Sequence, residues 1–423
     1  MPFQTIHIKT NGQKLFMLAG AVLCFVLAFL FVKWSLGHTI SIRAQQKEVA
    51  DVSTGFAPDD PQTHFSSAVL HEKSFDPENF VKAVNEYQIA VALSPNDYLF
   101  WLALGKARER GGDAVGAEKA LRRAVELAPN YVDTHWTLGN NLLRQGKTAE
   151  AFAEIRKSAA GSDKYVIPAI ATSWQIFNGD LNQIKQSVGD SPKLNAFLAV
   201  FLLKQERLNE AFEIWDSLPD EMKSVTFRKQ SEEIYRQMIN AGKYRFAKII
   251  KSSIEGSNTA RIFGTFTDGG FEANVKKENT DPFDWQIGEG NQPLIGFDDK
   301  IKHGGDLSLV IIFNSPDGQD FRPVSQIIAV EAGKSYRFTG FYKTDLKASG
   351  TLRWEILNVA DRVTVAATEE LAANTDWKNI EADFTVPENA EAVIVNLVRV
   401  KCSSTICPII GKVWFDDFEL NKK

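Results

Sequence analysis

The chain has 423 residues, more than one ordinary domain needs, and its 44% hydrophobic and 24% charged residues are a normal balance for a folded protein. The formal charge of -5 gives no overall basic field, so the composition argues against a nucleic-acid partner. Two or three folded units are therefore expected.

An apolar run near the N-terminus, from Leu15 to Val32, contains no charged residue. A helix of this length rises about 27 Å, which is close to the hydrocarbon thickness of a bilayer. The alternative is a cleaved signal peptide, but the apolar region of such a peptide is typically about 7 to 15 residues long. We therefore expect a cytoplasmic tail, a transmembrane signal-anchor helix and a linker, at residues 1–14, 15–33 and 34–60.

Two cysteines near the C-terminus bear on the topology, because basic residues flank both sides of the apolar run and do not decide it. Cys402 and Cys407 are separated by Ser-Ser-Thr-Ile. A hairpin loop could close this spacing as a disulfide, and two reduced thiols are the alternative. Disulfides persist in oxidising compartments. A disulfide here predicts that most of the chain lies outside the cytoplasm.

A repeat follows the linker: Pro95 recurs as Pro129, and Gly105 as Gly139, both 34 positions later. It resembles the tetratricopeptide repeat (TPR) family, whose helix pairs recur every 34 residues. The family pattern is met by Trp101, Leu104, Gly105, Ala117, Ala124 and Pro129. The pattern is clear for three repeats and looser afterwards, and we extend it over residues 61–254.

The resemblance to TPR proteins implies protein partners. In such an array each helix pair cannot bury its apolar stripe alone, so neighbouring pairs stack into a curved solenoid. The concave face of the solenoid is free to hold a peptide or a partner helix. The six matching residues are expected to pack between helices and not to contact a ligand.

The sequence changes character after about Gly256, where short β-branched and aromatic runs alternate with turn signals. Strands at this spacing predict a β-sandwich or barrel, and residues 262–423 suffice for one jelly roll. The segments GGFE, DWKNIEADF and VWFDDFEL resemble, in this order, the galactose-binding-like jelly rolls of carbohydrate-binding modules. The expected architecture is an apolar anchor helix, an all-α TPR-like solenoid and an all-β jelly-roll sandwich.

The resemblance to these modules implies a structural calcium ion. In this family the first and last strands lie side by side, and an acidic residue from each joins loop carbonyls around the ion. Calcium takes six to eight oxygen ligands. The matching residues are Glu272 and either Asp416 or Asp417. The alternative is that these carboxylates cap a turn or pair with a lysine and bind no ion.

Glycan binding by such modules depends on exposed aromatic rings that stack on sugar faces. Trp285, beside a Pro-Phe-Asp turn, and Trp354, between Arg353 and Glu355, are the candidates for an exposed platform. Four other aromatic residues are expected in the core, three because they share one face of a strand and one because of its family context: Tyr336, Phe338, Tyr342 and Trp377.

Catalytic motifs are missing from the sequence, which has neither an H-E-x-x-H zinc motif nor a G-x-S-x-G serine motif. We expect a non-catalytic scaffold in a bacterial inner membrane, with most of the chain in the periplasm. It would bind proteins through the solenoid and polysaccharide through the jelly roll, in surface or exopolysaccharide assembly or export. This step rests on the combination of domains. Two alternatives are an adaptor that binds only proteins and a polysaccharide-acting enzyme.

Overall fold

The computed structural model describes residues 10–74, 76–256, 261–273, 280–315, 321–348, 350–400 and 407–423. In these residues the chain forms helices first and then two antiparallel sheets. The predicted order of an all-α region and an all-β sandwich is therefore confirmed. The chain divides into two compact units, Met1–Leu194 and Asn195–Lys423.

The first unit is helical. Five of its helices begin at an aspartate whose side chain accepts a hydrogen bond from a backbone N–H of the first turn: Asp60, Asp76, Asp97, Asp113 and Asp180. Such caps satisfy amide groups that have no partner within the helix. The helices are α1 (Asn11–Arg43), α2 (Lys47–Phe56), α3 (Pro61–Glu72), α4 (Pro77–Leu93), α5 (Tyr98–Arg110), α6 (Ala114–Leu127), α7 (Val132–Arg144), α8 (Thr148–Gly161), α9 (Val166–Ile176) and α10 (Leu181–Val188), with a 3-10 turn at Asp163–Tyr165.

Helices of one repeat approach closely where the sequence supplies a glycine. A Cβ on Gly105 of α5 would lie 2.5 Å from Cδ2 of Leu121 in α6, and a Cβ on Gly139 of α7 would lie 2.7 Å from Cγ1 of Ile155 in α8. The two helix pairs therefore repeat the same contact at the same period. The neighbouring side chain fills the space that a larger residue would occupy.

The six residues that match the TPR pattern differ in burial. Four of them are buried between helices: Leu104, Gly105, Ala117 and Ala124. Trp101 is half-buried, and its Nε1 donates to the carbonyl oxygen of Pro95 at 2.9 Å. Pro129 is exposed and contributes its carbonyl oxygen, which lies 2.8 Å from Nε2 of His135. The prolines of the repeat thus act as backbone acceptors for the next helix.

Substituting Gly105 with alanine is expected to destabilise the helical unit by about 1 to 3 kcal/mol, because the added methyl group would overlap Leu121. Thermal unfolding followed by circular dichroism would measure the loss. Gly55 of α2 is the matched control, since nothing lies within 4 Å of its Cβ position. Gly55→Ala is expected to leave stability unchanged or to raise it by about 0.5 to 1 kcal/mol. Equal losses in the two variants would contradict the close-packing explanation.

Residues 34–60, expected to form a linker, are helical for most of their length. The first helix continues well past the apolar run, and α2 follows it. Asp51 of α2 accepts hydrogen bonds from three side chains of α3 and α4: Ser67, His71 and Lys82. The polar side chains of this segment therefore attach it to the helical repeats.

The second unit begins within α11 (Pro192–Lys204) and contains three more α-helices followed by the sandwich. The helices are α12 (Leu208–Asp216), α13 (Arg228–Asn240) and α14 (Tyr244–Glu255), with a π-helical turn at Met222–Thr226. The strands are β1 (Gln286–Ile287), β2 (Leu294–Asp298), β3 (Ser308–Ser315), β4 (Val324–Ala329), β5 (Ser335–Ala348), β6 (Thr351–Asn358), β7 (Thr364–Ala367), β8 (Asn374–Thr385), β9 (Ala392–Val400) and β10 (Ile409–Lys422).

Two five-stranded antiparallel sheets form the sandwich, with strand orders β1-β4-β9-β6-β7 and β2-β3-β10-β5-β8. Side chains alternate between the two faces of each strand. In β5 the alternate residues Tyr336, Phe338 and Tyr342 are buried, as their spacing predicts. Together with Trp354, Phe418 and other residues of both sheets they form a single apolar core.

Helices α13 and α14 pack against the sandwich within the second unit. Arg245 at the start of α14 donates from Nε and Nη2 to the carboxylate of Glu391, at 3.0 and 3.1 Å. Nζ of Lys251 lies 2.8 Å from Oδ1 of Asp281. The hydroxyl of Tyr235 donates to Oδ2 of the same aspartate at 2.6 Å. These polar contacts join the last two helices directly to the sandwich.

Candidate functional site

Three side chains lie in a row on the outer face of the sheet that contains β10, β5 and β8. Asp416 pairs with Phe341 in the β10–β5 ladder, and Phe341 pairs with Asn379 in the β5–β8 ladder. The adjacent residues Phe415 and Tyr342 belong to the core. Because side chains alternate along a strand, the three paired residues point away from the core.

Asp416 is fully buried although it points away from the core. Its Oδ2 accepts the backbone N–H groups of His303 and Gly304, at 2.8 and 3.1 Å, and its Oδ1 accepts that of Asp417 at 2.9 Å. Burial raises the pKa of Asp416, and the three N–H donors offset part of the rise. An acidic residue is tolerated in this apolar strand because the loop before β3 covers it and supplies amide donors.

Asp417 lies in a bulge of β10, where the pairing with β5 shifts between Asp416 and Glu419. Its φ of 49° is in the left-handed region, which aspartate tolerates better than most side chains. Its carboxylate is partly exposed, and its Oδ2 accepts a hydrogen bond from Nδ1 of His303 at 2.6 Å. The bulge therefore directs two consecutive carboxylates to different surroundings, one buried and one at the surface.

Glu272 binds the same loop before β3. Its two carboxylate oxygens accept the N–H of Asp306 at 2.9 and 3.0 Å, and its own N–H donates to Oδ1 of Asp268 at 2.6 Å. Asp268 and Phe271 have φ values of 57° and 56°. With Asp417, three non-glycine residues in or next to these acidic segments are in the left-handed region. Strained backbone of this kind concentrates at functional sites.

The acid junction, defined as Asp268, Glu272, Asp416 and Asp417, contains all three residues predicted to bind calcium. A Cβ on Gly270 would lie 3.9 Å from both Oδ1 of Asp417 and Oε1 of Glu272, so the two carboxylates approach the same glycine. Carboxylates suit calcium in kind. The oxygens of Asp416 and Glu272 already accept N–H groups, and no metal-holding group of three or more acidic, histidine or cysteine side chains occurs among the described residues. The calcium site stays a prediction.

A cleft of about 860 Å³ lies beside the acid junction. Its walls include Thr339, Phe341 and Asn379 from the sheet, together with Asp417 and Glu419 from the bulge of β10. The lining combines three aromatic rings, those of Phe266, Phe341 and Phe418, with hydroxyl, amide and carboxylate groups. An apolar surface with a few polar groups that fix orientation is typical of small-ligand sites.

An aromatic cluster, defined as His303, Phe341 and Trp377, adjoins the cleft. The ring of His303 stacks on that of Phe341, with centroids 3.7 Å apart and planes 14° apart, and Trp377 contacts His303 edge-on at 5.6 Å. Phe341 and Trp377 are half-buried. Part of each ring is therefore accessible on the outer face of the sheet.

The two tryptophans predicted to form a glycan platform lie in the core. Trp354 is fully buried, Trp285 is 3% exposed, and their rings are in edge contact with centroids 6.0 Å apart. The Trp285 N–H donates to the carbonyl oxygen of Asp268 at 2.9 Å, so its polar atom is also used internally. The prediction of an exposed platform at these residues is wrong. Trp377, predicted in the core, is instead half-buried.

The two-residue alternation of the strands would have placed Trp377 and Phe341 on the outward face from the sequence alone. In β8 the buried residues are Ile380, Ala382 and Phe384. Trp377 lies three residues before Ile380, an odd number, so the alternation places it on the opposite, outward face of β8. In β5 the same count places Phe341 on the outward face, among polar residues. An aromatic residue at an outward position is the feature that distinguishes a platform from the core.

The predicted disulfide falls partly outside the described residues. Cys402 belongs to a segment that the structure does not describe. Cys407 is disulfide-bonded, and Cys24 in α1 is a free thiol.

Comparisons with known proteins give partial similarities. No protein-family model matches the chain. The E3 ubiquitin-protein ligase CHIP of Arabidopsis thaliana is 30% identical over 84 residues, which are 20% of this chain and 30% of that protein, so the chain spans less than a third of it. Among solved structures, MamA is 15% identical over 35% of this chain and 84% of its own, with a TM-score of 0.31. A CBM4 structure is 20% identical over 37% of this chain and 99% of its own, with a TM-score of 0.28.

Proposed function

We propose that this protein is a non-catalytic scaffold held in a bacterial inner membrane by α1, with most of the chain in the periplasm. Its TPR-like helices bind partner proteins, and its sandwich binds polysaccharide, in the assembly or export of a surface polysaccharide or exopolysaccharide. The observation that carries the proposal is the accessible aromatic cluster beside a polar cleft. The anchor is supported by the length and apolar composition of α1, the one helix in the described part of the chain that is suited to span a bilayer.

The chemistry of the cleft favours a neutral glycan. Trp377, and the part of Phe341 that the stacked ring of His303 leaves uncovered, offer accessible ring surface to the apolar face of a sugar. Asn379 offers both donors and acceptors to hydroxyl groups. Asp417 and Glu419 add negative charge to the lining. A polyanionic polymer would be repelled by these carboxylates, whereas hydroxyl groups can donate to them.

Binding of neutral glycans is expected to weaken about tenfold, or about 1.4 kcal/mol, when Trp377 or Phe341 is replaced by alanine. Isothermal titration calorimetry on the full chain, in a detergent without a sugar head group, would measure the affinity for neutral and for anionic polysaccharides. Tyr131, a partly exposed aromatic residue of the helical unit, is the control. Tyr131→Ala should bind as the parent chain does. Equal loss in all three variants would contradict a site at the aromatic cluster.

Calcium is part of the same proposal, as a structural ion at the acid junction. Glu272 and either Asp416 or Asp417 would supply carboxylate ligands. The titration is therefore repeated with calcium and with chelator, together with a thermal unfolding curve in each condition. A higher unfolding temperature with calcium, lost in Glu272→Gln, is the expected result. Identical curves in both conditions would remove calcium from the proposal and leave the glycan site to be judged on its own.

An adaptor that binds only proteins is the second candidate, and the packing of the sandwich on α13 and α14 favours it. The contacts of Arg245 and Lys251 with the sandwich show that part of its surface is used for docking to helices of the same chain. In this case the sandwich is a structural module. A well-folded chain that binds no polysaccharide in the calorimetric series would support the adaptor over the scaffold.

A further inference from the structure

The first helix does not end at the boundary of the apolar run but continues into the folded first unit. A Cβ on Gly37 would lie 2.7 Å from Cβ of Ala57 and 3.1 Å from Cβ of Phe56. The end of α2 therefore packs directly on α1, one turn beyond Trp34. Since residues 44–46 connect the two helices, α2 turns back along α1 toward the apolar run.

This turn brings Phe56 close to the level at which α1 would leave a bilayer. Gly37 follows Val32 by five residues, or about 7.5 Å of helix rise. The polar interface on each side of the hydrocarbon core is about 5 to 8 Å thick. Phe56, which packs beside Gly37, is 38% exposed, and Trp34 is 42% exposed. With α1 across a bilayer, two partly exposed aromatic side chains would thus lie at the height of the lipid head groups.

Polar contacts fix this corner of the fold. Nδ1 of His38 in α1 lies 2.7 Å from Oδ2 of Asp60, the residue that caps α3. The ring of His38 also stacks on that of Trp34, with centroids 5.4 Å apart. Because α1 is joined in this way to α2 and α3, the position of Phe56 relative to the apolar run is set by packing. It does not depend on a flexible connection.

We propose that Trp34 and Phe56 form a second contact with the lipid surface, in which the corner between α2 and α3 rests in the interface of the bilayer that α1 spans. Aromatic side chains are favoured at this depth because one part of the ring is apolar and the surroundings are partly hydrated. The surface is continuous with the exposed apolar face of α1. The contact rests on the proposed anchor. Its consequence is that the first helices of the repeat region sit directly on the membrane.

Spin labels on the full chain in lipid nanodiscs test this contact by depth. Cys24 is replaced by serine, and one cysteine at a time is introduced at Phe56, Val49 or Phe25. The Cys24→Ser chain without an introduced cysteine is the blank for label taken up at Cys402 or Cys407. Val49 and Phe56 lie on one exposed stripe of α2 and are 40% and 38% exposed, so they differ mainly in their distance from the bilayer. Gly55→Cys is a second label for the same end of the helix, since no neighbour lies within 4 Å of its Cβ position.

The expected result is an oxygen-to-nickel collision ratio that is highest at Phe25→Cys and severalfold higher at Phe56→Cys and Gly55→Cys than at Val49→Cys. Equal ratios at both ends of α2, with Phe25→Cys deep in the lipid, would overturn the second contact and leave the anchor intact. A nickel-accessible label at Phe25→Cys would overturn the anchor itself, and the second contact with it.

Discussion

Replacing Asp416 with alanine is expected to lower the free energy of unfolding of the sandwich by on the order of 3 kcal/mol. The substitution removes a fully buried carboxylate and leaves the backbone N–H groups of His303, Gly304 and Asp417 without their acceptor. Each unsatisfied group costs about 1 to 3 kcal/mol. Chemical denaturation followed by tryptophan fluorescence would measure the loss, because Trp285 and Trp354 lie in the sandwich core.

Two further variants separate the amide contacts from the loss of a charge. Asp416→Asn keeps one acceptor oxygen and is expected to lose less stability than the alanine variant. Asp376 carries an exposed carboxylate on the same sheet, paired with Lys343, and its replacement by alanine is expected to cause no measurable loss. If Asp376→Ala were as destabilising as Asp416→Ala, burial and amide bonding would not explain the role of Asp416.

Raising the pH is expected to destabilise the helical unit, because the fold holds His64 as a cation. Its Nε2 lies 2.8 Å from the carbonyl oxygen of Pro58, and its Nδ1 contacts the carboxylate of Glu86. Both partners are acceptors, so both ring nitrogens carry a proton. Burial by itself lowers the pKa of His64, but the bonds to Glu86 and Pro58 and the nearby charge of Asp60 outweigh it, and the pKa is raised.

A raised pKa in the folded state fixes the sign of this effect. The stabilisation from His64 is complete below the unfolded value of about 6.5 and is lost as the pH rises through the higher folded value. Thermal unfolding followed by far-UV circular dichroism, from about pH 6 to about pH 9, should show a falling midpoint.

Glu86→Leu tests the assignment, because it leaves the buried imidazolium without its counter-charge. We expect a cost of about 3 kcal/mol near pH 6 and a weaker dependence of stability on pH. A variant that kept the full pH dependence would show that the titration belongs to other groups.

Much of the fold follows from periodicities that are local in the sequence. The spacing of Gly105 and Gly139 predicts the close contacts of the helix pairs, and the alternation of Tyr336, Phe338 and Tyr342 predicts a strand with one buried face. Both patterns depend on neighbours that are near in the chain or related by the repeat. For this reason both features can be predicted from the sequence alone.

The site depends instead on contacts between distant segments. Asp416 is buried because the loop at His303 and Gly304 covers it from more than a hundred positions away in the chain. Trp285 and Trp354 meet in the core although they lie on separate segments. No local pattern distinguishes a tryptophan that faces such a partner from one that faces solvent.

The histidines show an intermediate case. His64 and His135 each bind the carbonyl oxygen of a proline six residues earlier, as Trp101 does in the repeat between them. The six-residue offset can be read from the sequence. The hydrogen bond cannot be predicted from it, because the three residues share a ring N–H donor and not a residue type. Imidazole replaces indole at this position, and at His64 it brings a charge with it.

The contacts between α14 and the sandwich determine which groups of the second unit would transmit a pulling force. Tension on a polymer held at the outer face would reach the helices through the paired guanidinium and carboxylate of Arg245 and Glu391 and through the ammonium of Lys251. These contacts act in parallel with the covalent chain and share the force. Such an attachment resists rotation as well as extension, so a tethered strand would be held in a defined direction.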